Sequence, residues 1–237
     1  MADSTAFEQI NPLNVGMLLY PNFTLLDLAG PHAALGMHGK THLLWKTMDP
    51  VWTDTGISIN PTTTFADAPA DLDVIFVPGG HGTGDAMRDQ EILEFLARAG
   101  LSARYVTSVC TGSLLLGKAG LLDGYRAATH WAFYEALEAL GVQSSQERVV
   151  VDGNRFTGGG VTAGIDFGLT LLAALRGEAT AKFTQLAMEY DPKPPFSDGH
   201  PRTADPQVVQ AARMATAEMN QRFVESAKAD TSVVARL

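Results

Sequence analysis

A chain of 237 residues suits one large domain or two small ones, and 46% hydrophobic against 18% charged residues is ordinary for a globular protein with a sizeable core. The formal charge of −9, from 17 basic and 26 acidic residues, argues against nucleic acid as the main partner. One cysteine forms no internal disulfide, the apolar runs are too short to span a bilayer, and MADSTAFEQINPLN lacks the basic and apolar regions of a signal peptide, so the chain is expected to be soluble and cytoplasmic.

In chain order, VGMLLY (15–20) reads as a first strand, and LLDLAGPHAAL turns helical around its Gly-Pro. HLLWK (42–46) reads as a strand and GISINPTTTF (56–65) as a hairpin-like excursion. DVIFVPGG (73–80) is a continuous apolar run closed by a breaker, which predicts a buried strand and a turn. EILEFLARAGLSA (91–103) has helical spacing, with Ile92, Phe95, Leu96 and Ala99 on one stripe. YVTSVC (105–110) is the next strand, and TGSLLLGKAGLL the helix after it.

RAATHWAFYEALEALG (126–141) predicts a short strand feeding a helix that Gly141 stops. RVVVDGNRFTGGG (148–160) predicts two strands around an Asp-Gly turn. VTAGIDFGLTLLAAL (161–175) and EATAKFTQLAMEY (178–190) are helical; a Pro-rich stretch precedes a last helix over 206–229. That helix carries Val208, Ala212, Ala215, Met219 and Phe223 as an apolar stripe. Strands separated by helical runs predict βαβ units, a mainly parallel sheet covered on both faces, and one α/β sandwich domain.

The lone thiol sits where a predicted strand meets a predicted helix. Ser108-Val109-Cys110-Thr111-Gly112 reads small, apolar, nucleophile, polar, glycine, the pattern of a nucleophile elbow. A buried Cys packing as a small hydrophobe is the plainer alternative. A thiol at a helix N-terminus is expected to have a lowered pKa.

Open parallel sheets bind ligands at the carboxyl ends of their strands, which directs attention to the residues just past each strand. Asp27, between two leucines, is either a capping residue or a carboxyl whose apolar surroundings raise its pKa toward neutrality. Gly79 and Gly80 after Pro78, and Gly159 in the triple glycine before Val161, offer backbone N–H groups to a substrate or simply make turns. His130 is the best placed ring base, with a satisfied structural histidine as its alternative. No histidine spacing suits a metal and no phosphate-binding glycine motif comes after a strand, so neither metal nor nucleotide cofactor is expected.

On YPNFTLLDLAGP, DVIFVPGG, YVTSVCTGSLLLGKAGLLDGYRAATHW and RVVVDGNRFTGGGVTAGIDFGLTL, the chain resembles the ThiJ/PfpI superfamily, and within it the isocyanide hydratases. The resemblance spans about 14–228, leaving 1–13 and 229–237 as terminal extensions. It implies a flavodoxin-like sandwich without cofactor, and a homodimer acting on a small isocyanide through a covalent thioimidate. Cys110 would be the nucleophile, Asp27 the acid/base and Thr111 a hydroxyl partner. Gly79, Gly80, Gly159 and Val161 would bind substrate, and Val161 N–H would donate to the sulfur.

Many superfamily members carry His after the Cys. Thr111 stands there instead, which argues against Cys–His protease or deglycase chemistry. The elbow and the THW segment also resemble the ligand-sensing domain of AraC-type regulators, although no helix-turn-helix pair or basic face comes after the Pro-rich stretch. A redox sensor using Cys110 is a third reading.

Overall fold

Continuous apolar runs without alternation make strands that must be covered on both faces, and VIFV is the plainest of them. In the computed structural model, which describes residues 11–229, it forms β6 (Val74–Val77), with all four residues buried. The strands before it are β1 (Leu13–Leu18), β2 (Gly39–Trp45), β3 (Val51–Trp52), β4 (Ser58–Ile59) and β5 (Thr63–Thr64). Those after it are β7 (Tyr105–Val109), β8 (Arg126–Ala128), β9 (Gln143–Ser145), β10 (Val149–Asp152) and β11 (Arg155–Gly158). The helices are α1 (Leu25–Leu35), α2 (Thr83–Ala86), α3 (Gln90–Ser102), α4 (Gly112–Lys118), α5 (Tyr134–Glu138), α6 (Ala163–Arg176), α7 (Glu178–Ala187) and α8 (Pro206–Lys228). The extensions expected over 1–13 and 229–237 lie outside the described residues except at 11–13 and 229.

Seven strands form the central sheet in the order β10-β11-β7-β6-β1-β2-β5. All neighbours are parallel except β10, which pairs antiparallel with β11 across the predicted Asp-Gly turn, where Gly153 takes φ +57°. Because β1 has β2 on one side and β6 on the other, strand order reverses beside β1. The switch point lies at the carboxyl ends of β1 and β6, the place where open α/β sheets bind ligands. No helix among the described residues is long and apolar enough to cross a membrane.

Several boundaries differ from the sequence reading. The excursion over 56–65 is no self-contained hairpin: Ser58–Ile59 pairs antiparallel with Val51–Trp52, and Thr63–Thr64 joins the edge of β2. Pro61 interrupts the run, and the tight turn lies earlier, at Gly56 with φ +79°. The helix after Cys110 stops at Lys118, because the chain turns left-handed at Gly120, φ +74°. Similarly, α7 ends at Ala187, just before Glu189 at φ +49°. The C-terminal part of the α8 stripe docks on the fold, with Phe223 buried 5.0 Å from the Phe133 ring, whereas Val208 is 52% exposed.

α1 contains Pro31, which leaves the helix without the N–H that would bond the Asp27 carbonyl. What seats this helix is close approach to α6. A Cβ at Gly164 would lie 3.0 Å from Pro31 Cδ, and one at Gly168 would lie 2.9 Å from Ala34 Cβ and 3.2 Å from Pro31 Cα. Valine at 168 would gain a few tenths of a kcal/mol in helix propensity, but would overpack this contact at a cost of about 1–3 kcal/mol. Gly168→Val is therefore expected to lower the urea midpoint with an unchanged m-value; an unchanged midpoint would show that the two helices separate freely.

Candidate active site

Cys110 comes directly after β7 with φ +54°, a left-handed conformation that costs a non-glycine residue roughly 1–2 kcal/mol. Four hydrogen bonds hold it there. Its N–H donates to Gly159 O at 2.7 Å and to Gly158 O at 3.1 Å. Its carbonyl accepts from Thr129 Oγ1 at 3.0 Å and from Ser113 Oγ at 3.2 Å. The bend leaves no room nearby: a Cβ at Gly112 would sit 2.2 Å from Val77 O, and one at Gly79 would sit 2.8 Å from Cys110 Cβ. The expected elbow is therefore present in its backbone as well as its residue pattern.

Asp27 lies in the first turn of α1 but caps nothing. Its side chain turns inward, where Oδ2 accepts Gly79 N–H at 2.9 Å. Oδ1 is buried without a hydrogen-bond partner. Burial raises its pKa to about 7, opposed by Gly79 N–H and the Cys110 thiol and reinforced by Asp54. The thiol differs from expectation. Burial and the neighbouring Asp27 carboxyl push it well above its ordinary value, against the pull of Thr111 N–H and the Thr111 hydroxyl. Desolvation outweighs the dipole of the seven-residue α4. With Cys110 only 5% exposed and Asp27 fully buried, the two groups form a nearly dry pair that holds one proton just above neutrality.

The glycine N–H groups expected to face a substrate are already committed. Gly79 N–H holds Asp27, Gly80 N–H donates to Thr111 Oγ1 at 3.0 Å, and Gly159 N–H donates to Arg148 O at 2.9 Å. These amides position side chains and backbone. The backbone N–H acting on the sulfur is that of Thr111. Val161, for which the resemblance implied that role, lines a cavity of about 390 Å³ together with Thr129, His130, Gly159 and Gly160. Gln146, Glu147, Arg148 and Arg202 also line it and make it polar, and neither Cys110 nor Asp27 is part of its lining.

His130 takes the structural role. Its Nδ1 accepts Ala132 N–H at 3.3 Å, capping the short 3₁₀ turn Trp131–Phe133, and burial lowers its pKa to about 4. Sequence reasoning does not reach Ser113 and Thr129, which clamp Cys110, or Tyr20 and Thr83, which reach Thr111 through hydroxyls. Ser113 stands three residues after the thiol, a spacing that lets a side chain return to the Cys110 carbonyl. Thr129 lies beside the more conspicuous His130.

A family model described as the DJ-1/PfpI family matches residues 14–174. The chain belongs to the DJ-1/PfpI family. Isonitrile hydratase of Pseudomonas putida is 53% identical over 203 residues, 85% of this chain and 89% of that protein. The HTH-type transcriptional regulator GbdR of Pseudomonas aeruginosa is 35% identical over 187 residues, 74% of this chain but 50% of the regulator. A crystal structure of a ThiJ/PfpI family protein from Pseudomonas syringae superimposes with a TM-score of 0.90 at 46% identity, covering 92% of this chain and 91% of that one. The chain is therefore similar to an enzyme over most of its length and to about half of a regulator.

The Asp27 carboxyl makes stability depend on pH. Its folded pKa of about 7 lies above the ordinary 3.8, so the folded state binds the proton more tightly. The associated stability is fully present below pH 3.8 and is lost as pH rises through about 7, a change of about 4 kcal/mol. Asn at this position cannot ionise. Urea denaturation of Asp27→Asn and the unmodified protein should give similar stabilities at pH 4, with the variant several kcal/mol ahead at pH 8. A pH-independent difference would show that the carboxyl does not titrate in that window.

Proposed function

We propose that the chain hydrates isocyanides, converting R–NC and water into R–NH–CHO. The observation that carries this reading is the buried Asp27 carboxyl beside the buried Cys110 thiol, with burial raising the pKa of both. The likeness to isonitrile hydratase supplies the substrate class.

An isocyanide carbon has an empty π* orbital and a lone pair, so it accepts a nucleophile and a proton at the same atom. The Cys110 sulfur attacks this carbon while its proton passes to the Asp27 carboxylate and on to the carbon lone pair. One C–S and one C–H bond form, giving the thioimidate R–N=CH–S. The thiol need not ionise beforehand, which suits a site where either free charge would lack solvent.

Water then adds to the thioimidate carbon, and Asp27 moves a water proton to nitrogen. The resulting tetrahedral species loses its hydroxyl proton, breaks the C–S bond and leaves as the formamide. That proton returns to sulfur, restoring the thiol with Asp27 ionised. Oδ1, which accepts no N–H or O–H, is the oxygen that carries the proton. In this reading Thr111 donates to the sulfur as charge develops, Gly79 and Gly80 position Asp27 and Thr111, and Gly159 and Val161 form the substrate wall.

The same reading takes 14–228 as one catalytic domain working in the cytoplasm as a homodimer, without nucleic acid. The elbow alone also fits a sensing domain, as the regulator likeness indicates. A redox role fits less well, because a thiol held protonated near neutrality reacts slowly with peroxide.

The test is formamide formation from an alkyl isocyanide, followed by chromatography. Cys110→Ala should reduce it to the uncatalysed rate, and Asp27→Asn should lower kcat/KM by about 10²–10⁴. Turnover that persists without the thiol would overturn the proposal.

The pH dependence is a separate check on Asp27. Below about 7 the carboxyl is protonated and cannot take the thiol proton. The kcat/KM value should therefore fall about tenfold per pH unit on the acid side and level off above neutrality. A flat profile across that pKa would remove Asp27 from the acid/base role.

A further inference from the structure

The Thr111 hydroxyl has one hydrogen and two competing uses. Gly80 N–H already donates to its oxygen. On one side lies the Cys110 sulfur, close enough for the hydroxyl to lower the thiol pKa, with Gly80 O more distant at 3.5 Å. On another lies Thr83 Oγ1, 2.7 Å away. A single O–H cannot serve both.

Thr83 itself has three acceptors within reach: Gly80 O at 2.7 Å, Thr111 Oγ1 at 2.7 Å and Tyr20 Oη at 3.1 Å. Tyr20 gives its hydrogen to Pro78 O at 2.8 Å, so toward Thr83 it acts only as an acceptor. All three hydroxyls are buried, where a polar group left without a partner is costly.

The two threonine oxygens, 2.7 Å apart, need a hydrogen between them, and the two arrangements that matter differ in which residue supplies it. In one, Thr83 donates to Gly80 O and Thr111 donates to Thr83, turned away from the sulfur. In the other, Thr83 donates to Thr111 and Thr111 donates to the sulfur. Gly80 O is not orphaned by the change, because Thr83 N–H also donates to it at 3.1 Å. Each arrangement suits one state of Cys110. A thiol is a poor acceptor and a charged sulfur a good one.

We propose that Thr83 is a positioning residue: its hydroxyl is the two-way partner that lets Thr111 turn its hydrogen toward Cys110 when the sulfur carries charge and away when the sulfur is protonated. The inference rests on Cys110 being the nucleophile of the proposed reaction, but its test does not require isocyanide turnover.

Thr83→Val keeps the volume and removes the hydroxyl. Thr83→Ser keeps the hydroxyl and removes a methyl group. In the valine variant the Thr111 hydrogen has left only the sulfur and the more distant Gly80 O at 3.5 Å, so it turns to the sulfur more often and disfavours the neutral thiol relative to the thiolate. As this is the chain's single cysteine, alkylation by iodoacetamide reads it alone. At pH 8 the valine variant should alkylate about tenfold faster than the unmodified protein, equivalent to one unit in the thiol pKa. The serine variant should stay within about twofold of the unmodified rate.

Loosened packing would give the opposite order, with serine, which leaves a gap, changed more than valine. An unchanged or slower valine rate, or a serine variant that departs as far as valine, overturns the relay. Failure of isocyanide hydration alone would leave these alkylation rates interpretable and would count against the proposed reaction only.

Discussion

Cys110 sits in a backbone conformation that an L-residue avoids, and much of the site exists to hold it there. Two carbonyls from the end of β11 take its N–H, and two hydroxyls take its carbonyl. Gly112 and Gly79 leave the space into which the bend folds. The strain of roughly 1–2 kcal/mol is modest, but it falls on any residue other than glycine that keeps the bend. The clamp is therefore spread over β11, α4 and the segment after β8, and the sulfur is fixed by three parts of the chain at once.

The second constraint is dryness. α1 carries Asp27 inward because glycines on α6 let the two helices approach within side-chain contact of Pro31 and Ala34. Once buried, the carboxyl has one N–H donor, from Gly79, and one bare oxygen. It cannot ionise cheaply, nor can the thiol beside it. The result is a pair that keeps both protons below about 7 and gives up only the carboxyl's above it, the inverse of the thiolate that a helix N-terminus would favour in water. Electrostatics here is set less by any charge than by the absence of solvent.

Much of this is legible in the residue order. The strand-to-helix bend at SVCTG, the carboxyl after the first strand and the turn after VIFV all depend on local pattern, and the doubly wound sheet brings the three together. What local pattern cannot carry is the direction of an amide or the degree of burial. The N–H groups of Gly79 and Gly80 read as free donors, whereas tertiary contacts commit them to Asp27 and Thr111. The thiol pKa escapes sequence reasoning for the same cause: the helix is visible in sequence, but the desolvation that outweighs it sums over the whole fold. Thr83 and Tyr20 lie 28 and 63 residues from their partners along the chain and share no motif with them. His130 is conspicuous because a ring draws attention, yet Thr129 next to it does the clamping.

A sensing domain and a hydratase would ask different things of this elbow. Recognition needs a shaped cavity and donors that can be spared, and it gains nothing from an ionisable group in a dry place. An asparagine at position 27 could still accept Gly79 N–H through its carbonyl oxygen, without the loss of stability above neutrality that aspartate incurs. A carboxyl that destabilises the fold by about 4 kcal/mol once ionised, and contacts the one thiol of the chain, has a physical rationale chiefly as a proton carrier. The shared fold leaves enzyme and sensor equally open. The buried carboxyl is what favours chemistry over binding alone.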